Sequence, residues 1–234
     1  MIGKIFMIRI LLTLLLLSSC GNLPIAYIQN FSSVNNVVFG YPDYEISQDI
    51  FDEYDNSFMK VRFGKGPHSI LILAYIKDDV YEWVGTDDVR LFTSNGRVIK
   101  TIGLDHNFEL PNPRKSNFSN QQRIEQLNFI GRLQRFLGTG SKDQETSYEV
   151  INLFNPDLYS ATLSSAMSSS ADSLIRFGDK VDAVRFEEVS QIESIGWKET
   201  NYYYMNFNSG LIDETTQHFH PRLPVVYIEF YYKF

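Results

Sequence analysis

The chain has a single cysteine, Cys20, among its 234 residues, so no disulfide can form within it. It also lacks an apolar run of the roughly 20 residues that a membrane-crossing helix needs. Residues 10–17 are apolar, but Arg9 stands before them and Ser18 and Ser19 follow. Positive charge is in short supply, with 21 Lys and Arg against 28 Asp and Glu. That balance argues against nucleic-acid binding, which depends on neutralising phosphates, and against attraction to an anionic lipid surface. No Gly-x-Ser-x-Gly elbow is present, and nothing places a particular Ser beside a His and an acid. The stretch Gly138-Thr139-Gly140-Ser141-Lys142 has the wrong spacing for a phosphate loop and follows a helical pattern instead of a strand. No internal repeat of fixed period is visible.

The N-terminal segment has a clear order: a basic start with Lys4 and Arg9, the short apolar run, then small residues. This is the anatomy of a secretory signal. Leu17-Ser18-Ser19-Cys20 resembles the lipobox of bacterial lipoproteins, where the signal (residues 1–19) is removed and the Cys thiol is acylated. Two or three acyl chains, at ~0.8 kcal/mol per buried methylene, make such an anchor permanent. Gly21 follows the Cys, as in lipoproteins forwarded to the outer membrane, so the expected location is that membrane's periplasmic face. Removing the signal takes Lys4 and Arg9 with it and leaves 19 basic against 28 acidic groups, net −9.

Residues 20–55 read as a lipidated tether followed by an acidic segment, in which Asp43, Glu45, Asp49, Asp52, Glu53 and Asp55 suggest a solvated surface. From residue 56 the rhythm is that of short antiparallel strands in a single β-rich domain, residues 56–234. Strand-length runs fall at 58–63, 69–76, 80–84, 89–94, 181–189, 202–207 and 225–234. The sharpest turn signal is Asn95-Gly96, because a two-residue type I′ turn needs positive φ at both centres. Pairing outward from it sets Ser94 against Arg97, Thr93 against Val98, Phe92 against Ile99, Leu91 against Lys100 and Arg90 against Thr101. Phe92 and Ile99 then share one face and Leu91, Val98 and Lys100 the other. In the last strand Val226, Ile228, Phe230, Tyr232 and Phe234 alternate against polar partners, giving one apolar face.

Two stretches depart from this rhythm. Residues 120–138 carry Ile124, Leu127, Ile130, Leu133 and Leu137 at helical spacing, an amphipathic helix. The Ser-rich piece 160–173 is open between a short helix and a strand. Asp78-Asp79 and Asp87-Asp88 read as turn residues. His218 and His220 could present two imidazoles on one side of a strand, but no third metal ligand is identified. Aromatic residues are abundant, and flat rings can stack on sugars, although most fit ordinary sheet packing. The net charge of −9 predicts weak binding, if any, of an anionic polysaccharide; Arg90, Arg97 and Lys100, clustered around one hairpin, would be the first residues to mutate if tight binding were found.

Two blocks carry a family resemblance. The first is Glu82-Trp83-Val84, Val89-Arg90-Leu91 and the run Asn95-Gly96-Arg97-Val98-Ile99-Lys100-Thr101-Ile102-Gly103-Leu104. The second is Trp197, Asn201-Tyr202-Tyr203, Gly210-Leu211-Ile212 and Gln217, followed by Pro221 or Pro224. They resemble the YjbF/GfcB-type lipoproteins of capsule and exopolysaccharide operons, with Tyr203 standing where many members carry Trp. The resemblance implies a mainly β fold, an antiparallel barrel-like or sandwich domain, and a non-enzymatic role without cofactors in assembling or exporting surface polysaccharide. The expected partners are the membrane, through the Cys20 anchor, and either glycan or polysaccharide-secretion proteins. Trp83, Arg97, Trp197 and Tyr203 are the expected contact residues. Two other functions remain open at this level: an integral outer-membrane β-barrel, suggested by the terminal Phe234, and a periplasmic glycan-modifying enzyme using a carboxylate pair.

Overall fold

The computed structural model describes residues 40–111 and 146–234. Residues Asp43–Phe234 cluster as one compact unit; of the other, Met1–Pro42, only residues 40–42 are described. Cys20 and the expected helix 120–138 therefore lie outside the described residues.

Twelve described strands form a closed antiparallel barrel. They are β1 (Phe58–Phe63), β2 (His68–Lys77), β3 (Val80–Val84), β4 (Arg90–Ser94), β5 (Arg97–Ile102), β6 (Phe108–Glu109), β7 (Thr146–Leu153), β8 (Leu158–Arg176), β9 (Asp179–Ile192), β10 (Trp197–Asn206), β11 (Ile212–Gln217) and β12 (Val226–Tyr231). Each pairs with its sequence neighbours, and β1 closes on β12 from Phe58↔Tyr231 to Phe63↔Val226. The barrel alternative is thus realised and the sandwich is not. Closure gives every described strand a partner on both sides over part of its length, while β8 from Met167 to Arg176 pairs with β9 alone.

Alternation along the strands sets the polarity of the wall. Met59 and Val61 on β1, Trp83 on β3, Leu91 on β4, Phe186 on β9 and Val226, Ile228 and Phe230 on β12 belong to one buried interior cluster. The alternate positions on the outer wall include Lys60 and Arg62, Glu214 and Thr216, Tyr227 and Glu229. A mainly apolar interior with charged groups on the outer wall contrasts with a lipid-embedded barrel, whose outward residues form an apolar band.

The Asn95-Gly96 turn is present, with φ of 51° and 76°. Its first two pairs, Ser94↔Arg97 and Thr93↔Val98, match the expected register. Beyond them the register slips, and Phe92 faces Lys100, Leu91 faces Thr101 and Arg90 faces Ile102. Ile99 is the extra residue of a β-bulge, and a slip of one residue exchanges the faces beyond it. Leu91, Thr93, Val98 and Thr101 are consequently buried, while Phe92 and Lys100 are opposite one another with the ammonium 6.0 Å from the ring.

The Ser-rich piece is strand: it forms most of β8, whose 19 residues pair first with β7 and then with β9 as far as Arg176↔Asp179. The two-residue turn at the tip has Phe177 at φ 52° and Gly178 at φ 85°. A bulky residue at positive φ is strained; here Phe177 packs against Phe51 at 5.2 Å and Tyr231 at 6.0 Å. Phe51 sits on α1 (Gln48–Glu53), a helix capped by Ser47, whose Oγ accepts from the Ile50 amide at 3.3 Å. Ile46, Phe58 and Tyr231 form a second buried cluster with Phe51 and Phe177 against it. The acidic segment from residue 43 is therefore packed on the outer wall of β1 and β12 rather than wholly solvated. Asp78, Asp79 and Asp88 all adopt positive φ in turns.

Candidate functional site

The expected contact residues lie inside the barrel. Trp83 and Tyr203 have no exposed surface, Arg97 is buried, and Trp197 is half-buried against the interior cluster. Arg97, Trp197 and Tyr203 come together around a cavity of about 20 Å³, room for no more than about one water. Trp83 stands apart, donating its indole N–H to Thr93 Oγ1 at 2.8 Å and packing at 5.6 Å from Phe230. As placed, none of these four offers a face on the outer wall to a docking glycan or protein.

What Arg97 and Tyr203 do is hold the lumen together. The guanidinium donates to Glu149 Oε1 at 2.9 Å, and its other nitrogen lies 2.7 Å from Glu149 Oε2 and 3.1 Å from Glu188 Oε1. Burial alone would lower the Arg97 pKa, but the two carboxylates outweigh it and hold the charge. Glu188 Oε2 accepts from the Tyr203 hydroxyl at 2.8 Å and from Asn201 at 3.2 Å. Burial and then Glu188 push the Tyr203 hydroxyl up, so it stays a donor. Gln217 completes the interior by spanning from β11 to the bulged hairpin. Its amide oxygen accepts from Val98 N at 2.9 Å and its nitrogen donates to Gly96 O at 2.7 Å. The bulge frees backbone groups that this side chain satisfies.

The basic residues around that hairpin do not form a patch. Arg97 points inward, Lys100 lies 2.7 Å from Glu109, and Arg90 lies 2.9 Å from Glu82. His218 and His220 follow the end of β11 rather than lying on it. His220 stacks on His106 at 5.2 Å and accepts from Arg222 N at 3.1 Å. Burial, with His106 and Arg222 adding to it, depresses the His220 imidazole to about 4. Among the described residues no group of three His, Cys, Asp or Glu is placed to hold a metal ion.

A cleft of about 140 Å³ opens on the outer wall instead, where β1, β12 and β11 lie side by side. Its lining combines Lys60 and Arg62 from β1, His68 from β2, Glu214 and Thr216 from β11, Tyr227 and Glu229 from β12, Tyr204 from β10 and Asp43 from the N-terminal segment. Alternation aims these side chains outward, and register sets Glu214 directly against Glu229 and Thr216 against Tyr227.

Half of this lining is already engaged. The buried Lys60 ammonium lies 2.6 Å from Glu229 and 3.2 Å from Asp43, and donates to the Tyr44 carbonyl at 2.7 Å. The other Glu229 oxygen accepts from the Tyr231 hydroxyl at 2.6 Å. Asp43 also lies 3.0 Å from His68, whose pKa is lowered chiefly by burial against the attraction of Asp43. The Glu214 carboxyl, by contrast, makes no hydrogen bond among the described residues, and Arg62 Nε is buried without a partner there. Burial, followed by repulsion from Glu229, raises Glu214 to about 7. The Arg62 guanidinium lies 4.8 Å from the Tyr227 ring centre, making a flat cationic and aromatic wall.

None of the cleft residues was singled out from the sequence. The signal that could have found them is the charge on alternate positions of otherwise apolar strands, Lys60 and Arg62 in one and Glu229 in the other, but it needs the β1–β12 closure to bring them together.

A closed, inward-apolar barrel with a mixed-charge cleft on its wall defines a small globular β-barrel protein. The crystal structure of the hypothetical lipoprotein YmcC from Escherichia coli K12 has the same fold, with a TM-score of 0.62 over 86% of this chain and 95% of that one at 20% identity. The family model described as group 4 capsule polysaccharide lipoprotein gfcB, YjbF matches residues 31–231, and the chain belongs to that family. Among curated proteins of Escherichia coli K12, the uncharacterized lipoprotein GfcB is 29% identical over 70 residues, 30% of this chain and 33% of that protein. The uncharacterized lipoprotein YjbF is 28% identical over 82 residues, 35% of this chain and 39% of that protein. The matched segments thus span between a third and two fifths of these relatives' length.

Proposed function

We propose that this chain is a non-catalytic lipoprotein that assists capsule or exopolysaccharide assembly and export by binding, anchored through Cys20 to the periplasmic face of the outer membrane. The observation that carries the binding reading is the outer-wall cleft, where ionisable and polar groups converge beside a half-exposed aromatic ring. Membership of a capsule lipoprotein family supplies the context. A glycan-modifying enzyme is less well supported by the same geometry. Hydrolysis needs two carboxyls free to act on substrate, whereas both oxygens of Glu229 are engaged by Lys60 and Tyr231.

The test is genetic. A strain lacking the gene should lose or shorten its surface polysaccharide, measured by extraction and sizing, and the wild-type gene should restore it. Normal polymer in the deletion strain would remove the proposal.

A further inference from the structure

We infer that the outer-wall cleft is a saccharide subsite that seats one electrically neutral sugar unit of a polysaccharide chain against Arg62, Glu214, Thr216 and Tyr227. This rests on the binding role proposed above and assigns it a place and a ligand class. The cleft's volume of about 140 Å³ is the share of roughly four or five waters, a space suited to one sugar ring rather than several.

Its chemistry is that of a polyhydroxyl ligand. A sugar presents hydroxyls that donate and accept over a small area. The groups lining the cleft match both requirements: Glu214 accepts, the Arg62 guanidinium, whose Nε has no partner among the described residues, donates, and the Thr216 hydroxyl does either. A buried donor left unpaired is costly, so a ligand whose hydroxyls satisfy the guanidinium is favoured. The Arg62–Tyr227 wall provides a flat boundary to the site, and Tyr227 is 37% exposed, so it is open to the solvent side.

Charge selects against an acidic sugar. Lys60 is already neutralised by Asp43 and Glu229 and offers nothing to an incoming carboxylate. Arg62 alone would attract one, while Glu229 and Glu214 stand on the adjoining strands to repel it. The titratable and charged groups around Glu214 are Glu229 opposite it on β12, Tyr204 opposite it on β10, Arg176 from β8 and Lys60 from β1, with Asp213 acting from the other face of β11. Together with its burial they leave Glu214 titrating at about 7, which gives each ligand class its own signature. A neutral sugar donating to Glu214 binds the ionised form better, so its affinity rises with pH between 6 and 8. An acidic sugar is repelled by that form, so its affinity falls over the same range.

The experiment titrates the full chain, held in a sugar-free detergent, with neutral oligosaccharides (cellotriose and maltotriose) and with a trimer of galacturonic acid. Binding is followed by calorimetry and by amide chemical shifts at pH 6 and pH 8. The expected result is millimolar binding of a neutral trimer, with shifts centred on residues 62, 214–216 and 227, tighter at pH 8 by about three-fold or more. Tyr227→Ala and Thr216→Val should each weaken it about five- to ten-fold, and Glu214→Gln should abolish the pH dependence. Because Tyr227→Ala also removes the partner of Arg62, Thr216→Val is the control that changes only one hydroxyl. Tighter binding of the galacturonate trimer, weakening as pH rises, would overturn the neutral class. Binding of neither, or binding unchanged in both variants, would overturn the cleft as a saccharide subsite. None of these outcomes bears on whether the deletion strain loses its polymer, so the two proposals fail separately.

Discussion

At the scale of single residues, Glu214 and Arg97 show how the same barrel treats two charges. Glu214 sits half-buried beside Glu229 without a hydrogen-bond partner among the described residues, and burial followed by Glu229 raises its pKa from the ordinary 4.5 to about 7. A carboxyl that binds its proton more tightly folded than unfolded stabilises the fold fully below about pH 4.5, and that contribution is lost as pH rises through 7. The loss is bounded by about 3 kcal/mol, and partial exposure reduces it to on the order of 1–2 kcal/mol. Glu214→Gln should therefore melt higher than the wild type at pH 8 and no higher at pH 4.5, read as the difference between two melting series. Taking the difference matters because His220, depressed to about 4, contributes the opposite slope between about pH 4 and 6.5. A variant no more stable than the wild type at pH 8 would show that Glu214 finds a partner in solution. Arg97 is the contrary case. It is 6% exposed and holds two carboxylates inside the lumen. Removing one partner of a buried ionic group costs about 3–5 kcal/mol because the remaining charge is stranded. Arg97→Leu should lose stability of that order by urea denaturation, and adding Glu188→Gln should recover part of it.

At the scale of elements, the hairpin of β4 and β5 shows what a sequence discloses and where it stops. The Asn95-Gly96 dipeptide announces the turn, since both residues must take positive φ, and strand existence follows from β-branched and aromatic runs. Strands β1 and β3 fall on their expected bounds. The bulge at Ile99 was not legible, because nothing local distinguishes one extra residue from continued pairing. It exchanges the faces of Phe92, Leu91 and Arg90 relative to the expected pairing, whereas Arg97 keeps its expected partner Ser94 and turns inward with Tyr203 of β10, the two joined through Glu188. The Ser-rich β8 was ambiguous because its small residues carry neither period strongly, and its partners β7 and β9 decide it. The acidic stretch before β1 looked solvated because six carboxylates outweigh Ile46 and Phe51 in composition, yet those two side chains dock the segment. Gly96 tests the turn. A Cβ there would lie 2.5 Å from Ile212 Cγ2 and 2.7 Å from Ile212 Cβ, and its φ is +76°. Backbone strain costs roughly 1–3 kcal/mol, and the contact with β11 adds to it. Gly96→Val should accordingly be more damaging than Gly178→Val, whose Cβ would meet nothing within 4 Å although its φ is also positive. Equal melting points for the two variants would show that Ile212 yields without cost.

At the scale of the whole molecule, the polarity of the wall separates a tethered barrel from a lipid-embedded one. A membrane barrel keeps a continuous apolar band outward and polar groups in its lumen. Here the outward side of β1, β11 and β12 carries Lys60, Arg62, Glu214 and Glu229, whereas Met59, Trp83, Phe186 and Phe230 fill the interior with no exposed surface. Charged side chains on a lipid face cost about 2–4 kcal/mol each for Lys and Arg at mid-bilayer and less for Glu, so two of each on neighbouring strands oppose insertion. The proposed Cys20 acyl chains would then carry the membrane attachment, at ~0.8 kcal/mol per buried methylene. Cys20→Ser removes the thiol proposed to carry the acyl chains and lies outside the described strands. The variant should take up no label from a radioactive fatty acid, appear in the aqueous fraction after osmotic release without detergent, and melt at the temperature of the wild-type protein. An unlabelled variant that still required detergent would mean that the wall itself contacts lipid, and the argument from its polarity would be refuted.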